Sequence, residues 1–141
     1  MCGSPSGIDN RKIAVHPTGE TDMEPRAVAL VALGGFAGAT SRYGISAALP
    51  TAFPWGTLAV NVVGCFLLGY VVYTVEERGP ISDRLRLFVS SGFVSSFTTY
   101  STFAGETIAL DPTFAALNVV GNYLLGFLAV LFAREVVRWR S

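Results

Sequence analysis

The chain has 141 residues, ten Lys or Arg against ten Asp or Glu, 51% hydrophobic residues and a mean hydropathy of +0.50. Charged residues make up 14%, where a soluble domain carries about 25%; the zero net charge is uninformative, and no basic surface suggests nucleic acid. Two cysteines, Cys2 and Cys65, and one histidine, His16, exclude a disulfide framework and offer neither a metal-ligand spacing nor a histidine-based catalytic pair, so no enzyme is expected.

Residues 1–25 are polar and rich in Gly, Pro, Ser and Asp, without the apolar core of a signal peptide. They are expected to be a disordered extension. Met23 stands just before the first apolar run and is a second candidate start. Residues 26–141 are expected to form one all-α membrane domain with spans at about 27–48, 57–75, 85–109 and 113–133, because the charges fall in the gaps between long apolar runs.

The first span, AVALVALGGFAGATSRYGISAA, places Gly34, Gly38 and Arg42 on one helix face. The Gly34–Gly38 pair suits close helix packing. Arg42 either snorkels toward the helix end or faces a polar vestibule. The loop LPTAFPWG carries two prolines and a tryptophan, as at a membrane interface. The second span, TLAVNVVGCFLLGYVVYTV, would rise about 28 Å as a helix. Its only strongly polar residue, Asn61, needs a partner in hydrocarbon: it either bonds another helix or lines a polar path.

The third span is the unusual one. Between Ser90 and Phe103, eight of fourteen residues are Ser or Thr, Tyr100 adds a ninth hydroxyl, and there is no charge. These hydroxyls cover every side of a helix, so they cannot all face one groove. Ser and Thr bond back to carbonyls one turn earlier and bend helices, and SSFTT is a natural place for the helix to break. A break frees carbonyls that must be buried in protein, line water or bind a cation. Asp111-Pro112 is a turn, with Pro112 placed to start the fourth helix. There Asn118, Asn122 and Gly126 share a face, which favours a polar track.

Hydroxyls, amides and the positive ring edges of Phe97, Tyr100 and Phe103 would attract a small anion weakly, which suits a site that must also release it. Hydroxyl oxygens serve a cation equally well, so these residues leave the sign of the ion open.

The segments GGFAGATSRY (34–43), GTLAVNVVGCFLLG (56–69), GFVSSFTTYSTFAGE (92–106) and NVVGNYLLG (118–126) resemble, in order, those of the CrcB/Fluc family of fluoride channels, over about residues 27–133. The most specific parts are the T-T-[FY]-S-T-F core and G-T-L-x-x-N. The resemblance implies a passive fluoride exporter that lowers fluoride toxicity. It implies a dual-topology dimer of antiparallel subunits in the plasma membrane, with two fluoride pathways along the subunit interface. It also implies a structural sodium ion at the dimer centre, held by the backbone carbonyls of Ser95 and Thr98 at the break in the third helix. Fluoride would meet the ring edges of Tyr100 and Phe103, the hydroxyls of Ser101 and Thr102, and the amides of Asn61, Asn118 and Asn122, with Arg42 at the vestibule. Two positions depart from the family pattern: Ser95-Ser96-Phe97 replaces Gly-Gly-Leu, and Tyr100 replaces Phe.

Charge distribution adds a separate expectation. Arg11, Lys12, Arg26, Arg78, Arg84, Arg86, Arg134, Arg138 and Arg140 share one side and Arg42 alone lies toward the other. Positive residues stay cytoplasmic, so both termini are expected inside, in one fixed orientation. An antiparallel mate is then either this chain itself or, favoured by the bias, an oppositely oriented homologue. Two other functions compete: a non-conducting partner subunit or scaffold, and a small proton-coupled multidrug transporter, for which Glu106 is the one acidic candidate within a span.

Overall fold

The computed structural model describes residues 25–140, and the expected N-terminal extension lies outside them except for Pro25. Three continuous helices are long and apolar enough to cross a membrane: α1 (Pro25–Ala48), α2 (Trp55–Arg78) and α6 (Pro112–Trp139). Each outruns its apolar stretch. The polar ends, such as Glu76-Glu77-Arg78 on α2, extend the helix without adding to the hydrophobic length.

The stretch between α2 and α6 is helical in pieces. A short α3 (Asp83–Arg86) is capped by Ser82, whose hydroxyl accepts the Leu85 N–H at 3.3 Å. A π-helical segment, Leu87–Val94, follows, and then one short turn, α4 (Ser95–Phe97). Thr98 and Thr99 are extended, with ψ of 156° and 118°, and the chain re-enters a helix as α5 (Tyr100–Ala109). The hydroxyl-dense sequence explains the interruption. Ser95 Oγ donates back to the Ser91 carbonyl and lies 3.1 Å from that of Gly92, while Thr98 Oγ1 donates to the Val94 carbonyl at 3.1 Å. These bonds supply alternatives to the helical ladder. Thr99 then restarts the helix as its N-cap, accepting the Thr102 N–H at 3.2 Å.

The helices pack as two parallel pairs. Along α1, Val31, Gly34 and Gly38 meet Gly92, Phe93 and Phe97 in ascending order. A side chain at Gly34 would overlap the Phe88 carbonyl, and one at Gly38 the Phe93 carbonyl, so glycine alone permits this approach. Along α2, Asn61 meets Asn122 and Gly69 meets Val130 and Ala133. The ends of α2 and α6 close together where the Arg78 guanidinium donates to the Arg140 carbonyl at 2.6 Å. The chain alone buries few large side chains completely, Val60, Val137 and Asn118 among the described residues, and leaves much apolar surface uncovered.

Candidate functional site

The site is built around the interruption at Thr98-Thr99. An unbroken helix would give the Thr99 N–H to the Ser95 carbonyl. Here it goes to Asn61 Oδ1 on α2 at 3.0 Å, and Asn61 Nδ2 lies 3.4 Å from the Thr99 carbonyl. One side-chain amide thus meets both backbone groups of Thr99, which is itself buried. The close approach of α2 depends on Gly64, where a side chain would overlap the Thr98 methyl.

Asn61 also joins a longer chain of amides. Its Nδ2 donates to Asn122 Oδ1 at 3.0 Å. Asn122 Nδ2 in turn meets both the backbone oxygen and Oδ1 of Asn118, each at 3.0 Å. Asn118, fully buried at 0% exposure, donates to Thr107 Oγ1 at 2.8 Å. Thr107 donates to the Phe103 carbonyl at 2.6 Å. The i, i+4 spacing on α6 therefore stacks two amides in register, and both are satisfied within the protein.

Beside this chain lies an open cavity of about 290 Å³. Asn61, Thr98, Thr99 and Asn122 supply its polar wall; Tyr100, Phe103 and Tyr123 supply rings. Among the described residues no charged side chain lines it. Phe103 sits between the tyrosines, 5.8 Å from the Tyr100 centroid and 6.3 Å from that of Tyr123, the latter at 86° so that an edge meets a face. Phe103 is buried, whereas Tyr100 is 74% and Tyr123 64% exposed.

The sequence-predicted residues are thus partly gathered. Asn61, Tyr100, Phe103 and Asn122 line the cavity; Asn118 stands behind it. Ser101 and Thr102 do not line it, but both belong to the cap, with Thr99 Oγ1 2.9 Å from Thr102 Oγ1 and 3.4 Å from Ser101 Oγ. Ser95 is exposed on the outer face of the break. Its φ of −63° and ψ of −30° are ordinary for any residue, so serine fits where the family pattern has glycine. Arg42 is half-buried, one turn beyond Gly38, without a hydrogen bond or ion pair among the described residues. Glu106 lies apart, in a second cavity of about 310 Å³ with Ser46, Phe53 and Leu110 near the helix ends, and its buried Oε2 is unpartnered among the described residues.

Sequence reasoning did not single out Tyr123, Thr107 or Gly64. Tyr123 reads as one more interfacial aromatic, and Thr107 as an ordinary helical threonine. Only Asn118 and Asn122 offered a signal, since two buried amides require partners on a neighbouring helix.

The profile of one family, described as CrcB-like protein, Camphor Resistance (CrcB), matches residues 29–134. The chain belongs to the CrcB family. A protein of Natronomonas pharaonis named Fluoride-specific ion channel FluC 1 is 69% identical over 119 residues, covering 84% of this chain and 100% of that protein. One of the same name from Haloarcula marismortui is 52% identical over 111 residues, covering 79% and 85%. Fluoride-specific ion channel FluC of Chlorobium phaeobacteroides is 36% identical over 119 residues, covering 79% and 93%. In each case the match takes in most of both chains.

Proposed function

We propose that this chain is a subunit of a passive fluoride channel that lets cytoplasmic fluoride leave the cell and so lowers its toxicity. The observation that carries this reading is the 69% identity along the whole length of a protein named a fluoride-specific ion channel. The uncharged cavity wall agrees with it in chemistry. A small anion is met by hydroxyls and ring edges rather than by a cation that would trap it. Fluoride passes the rings of Tyr100 and Phe103 along the wall that Asn61 and Asn122 complete, with Ser101 and Thr102 supporting that wall from the cap and Asn118 from behind it, and Arg42 raises its local concentration at the vestibule.

In this reading the segment 83–109 makes a fourth crossing, broken at Thr98-Thr99, and two subunits meet antiparallel across the exposed break. The open cavity and the exposed Tyr100 support a mate that completes the wall. The carbonyls of Ser95 and Thr98 would hold a structural sodium ion between the subunits. Two features make those oxygens suitable ligands for a hard cation: the Thr99 N–H is diverted to Asn61, and the Thr98 backbone is extended. The nine-to-one arginine and lysine bias supports a plasma-membrane orientation with both termini in the cytoplasm, and hence a mate of opposite orientation, a homologue rather than a second copy. That bias also favours, as a second reading, a non-conducting partner subunit.

Proteoliposomes loaded with fluoride separate these readings. Release is expected when the chain is reconstituted with its mate. Release with the mate alone, unchanged by adding this chain to form the dimer, would leave it a non-conducting partner; silence in every combination would refute the channel. Mapping single-cysteine termini on whole cells tests the orientation, since an even split between the two membrane faces contradicts a fixed one.

A further inference from the structure

We propose that Thr107, which lies outside the cavity, is a positioning residue that anchors the far end of the amide chain and through it holds the geometry of the break at Thr99. A hydroxyl has one proton. That of Thr107 goes back to the Phe103 carbonyl at 2.6 Å, so toward Asn118 its oxygen can only accept. This fixes which end of the Asn118 amide is nitrogen. The Asn118 Oδ1 then turns to Asn122 and receives its Nδ2 at 3.0 Å. The Asn122 Oδ1 in turn receives Asn61 Nδ2 at 3.0 Å, which leaves Asn61 Oδ1 to accept the Thr99 N–H at 3.0 Å. Every link runs in the same direction: the Asn118 carbonyl fixes Asn122 as donor, the Thr99 N–H fixes Asn61 Oδ1 as acceptor, and Thr107 anchors the far end by accepting from Asn118.

The path has a consequence for α5. Thr99 and Thr107 lie eight residues apart at its two ends, yet they are joined by hydrogen bonds that leave the helix, cross α6 and α2, and return. The helix after the break is held at both ends by one circuit. Both hydrogens of Asn61 Nδ2 and both of Asn122 Nδ2 are taken up within that circuit. The amides therefore act first as a brace that keeps the cavity wall in shape.

Valine at 107 keeps the shape of threonine but neither accepts nor donates. The buried Asn118 Nδ2 loses its acceptor, and the chain loses its anchor at that end. Serine keeps both functions. The brace itself stands without the fluoride reading; only its effect on permeation rests on that reading.

The test uses the full chain, assembled with its mate in lipid, as the parent, Thr107→Val and Thr107→Ser. Hydrogen exchange at the Thr99 amide is expected to quicken roughly fivefold in Thr107→Val, the loss of about one hydrogen bond, and to match the parent in Thr107→Ser. Amides in the middle of α1 should not change. An unchanged Thr99 in Thr107→Val overturns the proposal, as does equal quickening in Thr107→Ser. Should Thr107→Val fail to assemble, the parent alone decides: its Asn118 side-chain NH2 is expected to exchange slowly with solvent, and fast exchange overturns the brace. Fluoride release from the same vesicles is expected to fall in Thr107→Val and return in Thr107→Ser. A parent that releases none counts against the channel and leaves the exchange result standing.

Discussion

Two contacts in this molecule solve the same problem by opposite means. Where α1 meets the π-helical segment, glycines remove side chains and backbones touch directly. Where α5 meets α2 and α6, polar side chains reach across and tie the backbone through amides. Lipid is as apolar as leucine, so burying aliphatic surface does not choose between neighbours. The first contact gains its specificity from shape, and any added atom breaks it. The second gains it from hydrogen-bond direction, so it tolerates changes of size better than changes of polarity. The break in the helix sits where these two devices meet, with α4 against α1 on one side and Thr99 on Asn61 on the other.

The largest effect is expected from the shape-limited contact. Gly34→Leu or Gly38→Leu drives a side chain into a backbone carbonyl that cannot move aside, at a cost of about 3 kcal/mol or more. Neither variant should yield a monodisperse assembly by size-exclusion chromatography in mild detergent. A well-behaved Gly38→Leu would show that α1 stands further from the π-helical segment. Next comes Asn61→Leu on the polarity-limited side. It conserves volume but strips both backbone groups of Thr99, costing about 2–4 kcal/mol. A lower midpoint of thermal unfolding in detergent and loss of fluoride release are expected together, whereas release without loss of stability would detach Asn61 from the break.

How far the sequence reveals this arrangement differs between the two contacts. Gly34, Gly38 and Arg42 fall on one face by simple periodicity, and the apolar middle of α2 is legible as a run, although the helix itself extends beyond it at both ends. The hydroxyl-dense stretch pointed to an interruption because back-bonding is local: Ser95 and Thr98 reach carbonyls three or four residues away. The polar contact is different. That Asn61 bonds Thr99, 38 residues on, or that Asn118 ends on Thr107, depends on which helix lies beside which. Two asparagines in register announce a need for partners without naming them. Asn118 therefore reads from sequence as lining a track, while in the fold it stands behind the cavity wall. Glu106 shows the same limit, because its place near a helix end is set by the loop folded against it.

A medium effect sharpens the comparison where both devices act at one point. Gly64 faces the methyl of Thr98, so it belongs to the shape-limited kind although it serves the polar contact. Gly64→Ala is expected to destabilise by about 1–3 kcal/mol. Thr98→Ser removes the obstructing methyl and keeps the hydroxyl that bonds Val94. The double variant should recover most of the loss, with a coupling of about 1 kcal/mol in a double-mutant cycle. Additive losses would place the conflict at the backbone rather than at the methyl.

The smallest structural effect is expected at Tyr100, where the functional effect is the more informative. Its hydroxyl has no hydrogen-bond partner among the described residues, and its ring contact with Phe103 survives in Tyr100→Phe. Stability should change by no more than about 0.5 kcal/mol. Permeation is another matter. Both Asn61 and Asn122 spend their amide hydrogens on the brace, Thr98 Oγ1 gives its hydrogen to Val94, and that of Thr99 goes to Thr102. On the cavity wall the phenols of Tyr100 and Tyr123 are then oxygen-borne donors left uncommitted. If fluoride gives up water against them, Tyr100→Phe should slow its release from vesicles about fivefold, the worth of one hydrogen bond of about 1 kcal/mol, and Tyr123→Phe should do the same. Faster release in Tyr100→Phe would make the hydroxyl an obstruction, and the donors would then have to come from the brace itself, opening as the ion passes.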